Sequence, residues 1–452
     1  MKRLLFTLSF LTFSTTMLFA QHDHSMHNMQ QDTMSKDTMP AMHHMDMSDH
    51  KEMAMSSAYS LSLPMNRNGS GTSWLPDNAP MYGYMLHKKE WMFMFHGNVF
   101  IRYNSQDIFK SGSRGDSKFD APNWFMAMGQ RKVGKNGLFH FSTMFSLDAL
   151  TIGGYGYPLL FQTGETWKDK PLVDRQHPHD LFAELSVGYT QRINKNVDIS
   201  GYFGYPGEPA LSATTFMHRP SSLSNPDAPL GHHWQDAIHI TFGVATLGVR
   251  YKNWKLEGSS FTGREPDENR YDFDKMKFDS WSGRLSFNPS ASWSLQASHA
   301  FIKSPEALHP EEDIHRTTAS AIYAHRMGNG KLFNAAAVWG YNYVDAHHKE
   351  NSALAEASYV AQKNTVYGKY EWVQKSAEEL NLNEDQYGHD SRFPVHAITA
   401  GYARTLLSFA KTNLSLGAQT TLYVVSNDLK NLYGKTPVAG EIYLRISPGL
   451  MR

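Results

Sequence analysis

Two groups of residues in this sequence have the types and the spacing to do chemistry. The first stands near the N-terminus. Residues 21–55 hold His22, His24, His27, His43, His44 and His50, with Met26, Met29, Met34, Met39, Met42, Met45, Met47, Met53 and Met55. Nine Met in 35 residues, against 23 in 452, is roughly a fivefold enrichment. Thioether and imidazole together favour Cu(I) and Cu(II), with zinc a weaker option. A neutral linker would be rich in Gly, Ser and Pro and has no use for oxidisable Met. The candidate ligands are His22, His24, Met26, His27, Met29, Met42, His43, His44, Met45, Met47 and His50. The competing reading is a solvated linker whose composition drifted. Asp, Ser, Gln and Lys fill the remaining positions, so the segment cannot bury a core and is expected to be disordered.

The second group is spread over three polar stretches. One holds Asp174, Arg175, His177, His179 and Asp180. The next holds His218, Arg219, His232, His233 and Asp236, followed by His239. The third holds Arg264 and Glu265. A His-x-His with a His-His-x-x-Asp-x-x-His offers enough imidazole and carboxylate for zinc or copper, a second metal site beside the tail. The favoured alternative is an internal network. In it Arg175, Arg219 and Arg264 pair Asp180, Asp236 and Glu265, and the histidines bridge them by hydrogen bonds. Such a charged rim is also a selectivity device. Enzyme templates are missing: there is no Gly-x-Ser-x-Gly elbow, Walker A or His-Glu-x-x-His. No catalytic residue and no required cofactor is assigned.

The elements that position these residues are strands. Aromatics make up 13% of the chain and glycine is plentiful, which suits strands and turns better than helices. Met1–Ala20 has Lys2 and Arg3, an apolar stretch and a small-residue end, the pattern of a secretory signal. No later apolar run approaches the ~18 residues of a spanning helix. The 43 basic and 43 acidic residues balance, so no global charge points to nucleic acid. Cysteine is absent, which removes disulfides and thiolate metal sites.

From residue 91 onward, sixteen segments alternate apolar and polar residues with period 2. They lie near 91–103, 122–132, 137–149, 180–192, 196–206, 237–251, 254–264 and 278–288. The rest lie near 292–303, 315–326, 331–343, 352–362, 364–375, 394–407, 412–424 and 437–446. Short turns alternate with long connections, which puts every long loop at one end. A soluble sandwich or propeller has no reason to do this; an outer-membrane barrel does. The predicted fold is all-β, a transmembrane antiparallel up-and-down barrel of about 16 strands behind a disordered tail. Residues 1–20 are the signal, 21–80 the tail and linker, and 81–452 the barrel. The aromatic residues Tyr82, Tyr84, Trp91, Trp124, Trp254, Trp281, Trp293, Trp372 and Tyr443 fall near strand ends, as an interfacial girdle does. Sixteen strands predict a lumen wide enough for an aqueous channel.

By this pattern the barrel region resembles a bacterial outer-membrane porin. The runs His22-Asp23-His24-Ser25-Met26-His27 and Met42-His43-His44-Met45-Asp46-Met47 are similar to those of exported copper-resistance proteins. The first resemblance implies an outer-membrane location with the tail in the periplasm, lipid and the barrel insertion machinery as partners, and a homo-trimer. The chain departs from it by ending Ile446-Ser447-Pro448-Gly449-Leu450-Met451-Arg452 rather than on an aromatic residue. The second resemblance implies a copper or zinc ion as ligand. Three functions follow as expectations. The leading one is a channel-type barrel with a metal-binding tail, acting in metal transport or tolerance. The others are a general-diffusion or structural porin with an incidental tail, and an outer-membrane enzyme with a loop-held metal.

Overall fold

Period-2 alternation becomes sixteen long antiparallel strands. The computed structural model describes residues 56–451 apart from Ala346, His347 and His389, so the tail ligands between His22 and His50 lie outside the described residues. The described residues belong to one compact unit, Ala54–Arg452.

The strands are β1 Trp91–Ser105, β2 Asn123–Val133, β3 Gly137–Phe145, β4 Phe182–Asn194, β5 Val197–Gly204, β6 Val244–Tyr251, β7 Trp254–Phe261 and β8 Ser280–Ser290. They continue as β9 Trp293–Lys303, β10 Asp313–Met327, β11 Lys331–Tyr343, β12 Lys349–Ala361, β13 Asn364–Ser376, β14 Arg392–Phe409, β15 Thr412–Val425 and β16 Val438–Pro448. Each pairs with its sequence neighbour. β16 returns to β1, with Gly440 opposite Ser105 and Ile446 opposite Val99, so the sheet closes on itself. Closure removes the unpaired edges that an open sheet would expose.

Burial follows the alternation. Along β6 every second residue is buried, with Thr246 and Arg250 facing in and Leu247, Val249 and Tyr251 facing out. The outer face is an apolar belt in which Leu247 is 74% exposed, Leu256 63% and Ile442 63%. In water such a belt would be a large apolar patch; around a closed barrel it is the lipid-facing surface. Aromatic pairs mark the short-turn end: Trp254 stacks on Phe287 at 3.9 Å and Trp293 meets Tyr323 at 4.8 Å. Trp124 and Tyr443 do not join this girdle. Both are buried toward the lumen, because each sits on the inward parity of its strand.

Three expectations change at the lumen. The strand predicted over 237–251 begins only at Val244. Ala237–His239 is a 3₁₀ turn, and Gly243, at φ +101°, breaks the extended run before the strand. Ile238, Ile240 and Phe242 keep their alternation but are buried inside the barrel rather than on a wall. Residues 56–80, expected to belong to a disordered linker, are folded. A short hairpin of Ser56–Ser57 and Ser60–Pro64 enters at the short-turn end, and Ala58, Tyr59, Met65 and Trp74 are buried. The wide aqueous lumen is also corrected, because loop 205–243 crosses it. Ala210 N–H donates to Ser259 on β7 at 2.7 Å and Ser212 N–H to Ser298 on β9 at 2.8 Å. Asn98 on β1 donates to Leu223 O at 3.1 Å, Tyr443 on β16 to Ser224 O at 2.6 Å, and Gln419 on β15 to Asp227 at 2.8 Å. One loop thus touches walls all around the barrel. Irregular backbone survives at this depth because protein groups satisfy it.

Candidate functional site in the barrel lumen

The loop that crosses the lumen carries most of the chemistry. Gly231–Asp236 turns through a short helix, His232–Gln235, so that His232 and Asp236 stack at i and i+4. Nδ1 of His232 lies 2.6 Å from Asp236 Oδ1, and Arg219 reaches Asp236 Oδ2 at 3.1 Å and Glu356 of β12 at 2.8 Å. Nδ1 of His239 lies 2.8 Å from the Asp236 carbonyl. The loop after β3 supplies the facing group. There Asp148 holds Nδ1 of His179 at 2.8 Å, and His177 Nε2 lies 3.1 Å from Glu165. His233 Nδ1 lies 3.5 Å from Glu265.

The five imidazoles form a continuous cluster. Ring centres are 5.2 Å apart for His232–His239, 5.5 Å for His179–His239, 5.4 Å for His232–His233 and 5.5 Å for His177–His233. Each ring is oriented by one bonded nitrogen. The other nitrogen, Nδ1 of His177 and Nε2 of His179, His232, His233 and His239, is buried with no hydrogen-bond partner in the protein. A carboxylate or carbonyl on one ring nitrogen with the other left bare is how metal-ligating histidines are held. Burial, and then the neighbouring histidines, push His177 and His239 well below the usual imidazole range, which keeps them neutral and able to accept a cation. Burial alone would lower His233 as well, but Glu265 outweighs it and raises its pKa.

The donor set fits a transition-metal ion, but not as a closed cage. Among the described residues, three ligand atoms come within 4.8 Å of one another only at His309, Glu311 and Glu312 and at Asp267, Asp272 and Asp274. Both sets lie in long loops and are partly exposed. The five lumenal histidines spread more widely, a series of one- and two-donor stations rather than one tetrahedral site. Beside them a cavity of about 340 Å³, lined by Glu165, His233, Glu306, His309, Glu312 and Glu379, opens among the long loops. Burial pushes Glu165 and Glu306 up to about 7 and Asp180 up to about 6.

The structure brings together His177, His179, His232, His233, Asp236, His239 and Glu265. It separates the others. Of the three expected ion pairs only Arg219–Asp236 forms. Arg175 pairs Asp116 instead, Asp180 and Glu165 share Arg270, and Arg264 donates to Ser304 and the Glu306 carbonyl. Arg270 takes the expected place of Arg175 because Leu181 N–H bonds the Arg270 carbonyl, tying the two loops side by side. Asp174 turns away to accept from Phe161 N–H and Tyr433. His218 sits apart beside His96 and Trp124. Sequence reasoning missed Asp148 and Glu165, which orient His179 and His177. A lone acid inside an apolar or glycine-rich loop carries no signal until the fold closes.

No protein-family model matches the chain, and no curated protein sequence does. Solved structures do. OmpF of Salmonella typhi, in complex with daunomycin, superimposes with a TM-score of 0.50 at 10% identity, over 80% of this chain and 100% of that one. An anion-selective porin from Comamonas acidovorans gives 0.45 at 11% identity, over 79% and 100%. OmpT of Vibrio cholerae gives 0.43 at 9% identity, over 80% and 99%. The chain therefore has the fold of an outer-membrane porin. An outer-membrane location follows from that fold together with the apolar outer belt and the aromatic pairs at its edge.

Proposed function

We propose that this chain is an outer-membrane channel-type barrel that handles transition-metal cations, in transport or tolerance, rather than a general-diffusion pore. The observation that carries this reading is the lumenal cluster of five histidines, each with one oriented and one unpartnered nitrogen. A permeation path needs sites that attract an ion yet release it, and a string of incomplete sites does so better than one closed cage. The glutamate-lined cavity among the long loops supplies the attraction for a cation. The loop that crosses the lumen excludes bulky solutes. The His/Met-rich residues 21–55 would collect copper or a similar ion on the periplasmic side of the same route, and a homo-trimer is the assembly proposed for it.

The test is metal entry into proteoliposomes carrying the purified barrel and a fluorescent zinc or copper indicator. Replacing His177, His179, His232 and His239 by Ala is expected to abolish entry of the metal while leaving the small basal leak of potassium. Equal metal entry in wild type and variant would overturn the reading. Removing residues 21–55 is expected to lower bound copper without closing the route.

A further inference from the structure

A second set of donors, with a different chemistry, lies against the lumen wall formed by β1 and β2. In β1 the inward residues include Met92, Met94 and His96, and in β2 they include Trp124, Met126 and Met128. The register places Met94 directly opposite Met128 and His96 directly opposite Met126. Inward neighbours in such pairs have Cβ atoms about 4.5–5.5 Å apart, so four soft donors share one patch. Loop 205–243 lowers Met217 and His218 onto it, and the ring of His218 lies 5.6 Å from that of His96. The folded segment 56–80 and its continuation add Met65 and Met81. These groups enclose a cavity of about 90 Å³, room for an ion and more.

Packing alone does not ask for this arrangement. Methionine is a flexible filler, but a lumen wall that needed only apolar volume would not set two imidazoles among the thioethers. Nε2 of His96 is buried with no hydrogen-bond partner. Of the twelve methionines after residue 55, all but Met276 and Met327 belong to the two clusters around this wall. The charge of the site is equally selective. No carboxylate lines the cavity, and its one cation, Arg445, is turned to Asn98 and Ser224 at 2.9 Å each. Neutral sulfur and nitrogen donors without an anion disfavour a hard divalent ion and favour a soft monovalent one.

The geometry points to a soft-metal site in this cavity, one that takes Cu(I) or Ag(I) through the thioethers of Met94, Met126, Met128 and Met217 and the imidazoles of His96 and His218. It stands on its own donors, independent of the histidine–carboxylate cluster. The two therefore divide the work by hardness, Zn(II) or Cu(II) at the cluster and the monovalent ion here.

The experiment uses the full mature protein in detergent, titrated anaerobically with Ag(I) as a redox-inert probe. The tail donors are common to every variant, so differences report on the cavity. Met126→Leu/Met217→Leu is expected to lose one equivalent of bound Ag(I), and Met276→Leu/Met327→Leu, outside the cavity, is expected to lose none. An unchanged Ag(I) count in a folded Met126→Leu/Met217→Leu protein would overturn the site. Should that variant fail to fold, the wild type decides by peroxide footprinting. Ag(I) is expected to protect Met94, Met126 and Met217 from sulfoxide formation and to leave Met327 unprotected. Equal oxidation with and without Ag(I) would equally overturn it. Unchanged Zn(II) entry after replacing His177, His179, His232 and His239, with Ag(I) binding at the cavity intact, would count against the cluster reading alone.

Discussion

His232 and Asp236 are joined at 2.6 Å between Nδ1 and Oδ1, and the other oxygen of the same carboxylate accepts from Arg219. Asp236 is thus the point at which a ring that can hold a metal meets the ion pair that anchors loop 205–243 to the wall at Glu356. Burial alone would raise this carboxyl. The hydrogen bond and charge of His232, with Arg219, outweigh it and hold the group well below the usual carboxylate range, so Asp236 stays ionised. Asp236→Asn should therefore act twice. Removing one partner of a buried ion pair costs about 3–5 kcal/mol, and loss of a ligand's orienting carboxylate weakens metal binding about 10- to 100-fold. Mobility on a gel after stepwise heating reads the first effect and a Zn(II) titration the second. Retention of both by the variant would remove Asp236 from this double role.

The lipid-facing side of the barrel makes a separate prediction. Leu247 stands in the middle of β6 and is 74% exposed, while Thr246 beside it is buried in the lumen. An arginine on the lipid face near mid-bilayer costs about 2–4 kcal/mol. Leu247→Arg should lower the unfolding midpoint in liposomes by that order, and a Leu247→Arg protein as stable in lipid as the wild type would place this face in water.

How much of this was legible before folding can be argued from particular residues. Strands such as 331–343 and 364–375 appear almost to the residue, because a wall with lipid on one side and polar filling on the other forces strict alternation. The same rule misleads at Ile238, Ile240 and Phe242. An extended loop packed inside the lumen also alternates, and only the break at Gly243 separates the two cases. Residues 56–80 read as a linker because their apolar anchors, Tyr59, Met65 and Trp74, are few and widely spaced. They are buried by a barrel that the segment does not itself form. The Met92-x-Met94-x-His96 and Met126-x-Met128 runs carry the period-2 signal openly. What the sequence hides is the register that sets one against the other. Among the loops, His-x-His and His-His spacing marks the clustered imidazoles, whereas their orienting partners Asp148 and Glu165 come from distant turns.

A pH dependence follows from Glu208, where loop 205–243 meets the segment 56–80. Its oxygens accept from Ser70 at 3.1 Å and Thr215 at 3.3 Å; Arg284 and Glu184 are the charges that act on it. Burial pushes Glu208 up to about 8 from an ordinary 4.5. The folded protein therefore keeps a proton that the unfolded chain has lost over that interval. Its contribution to stability is complete below 4.5 and is lost as pH rises toward about 8. Glu208→Gln should flatten this part of the stability profile, with the largest gain over the wild type at and above pH 8. Parallel profiles for the two proteins would contradict the assignment.

The last prediction concerns what closes the short-turn end. Segment 56–80 is tied to the wall at many points. Arg284 donates to Thr72 at 2.7 Å, Asn288 to Leu75 O at 2.9 Å, Ser294 to Trp74 O at 3.1 Å and Asn78 to Ser292 at 2.9 Å. Lys255 also donates to the Thr72 carbonyl. It meets the crossing loop through Ser73–Thr214 at 2.9 Å. Two obstructions therefore stand in series, one entering from each end. Current through two resistances in series is limited by the larger, so removing one should raise conductance only in part. Deleting 56–80 is expected to give larger single-channel steps in planar bilayers that are still cation-selective, because the crossing loop and its histidines remain. The deletion frees Lys255 from the Thr72 carbonyl and Arg284 from the Thr72 hydroxyl, while Arg284 keeps the Ser212 carbonyl and Glu257, and Lys255 and Glu257 still pair with each other at 3.1 Å. Unselective, porin-sized steps after the deletion would mean that loop 205–243 is held across the lumen only by the segment beneath it. Unchanged steps would mean that the loop alone sets the resistance.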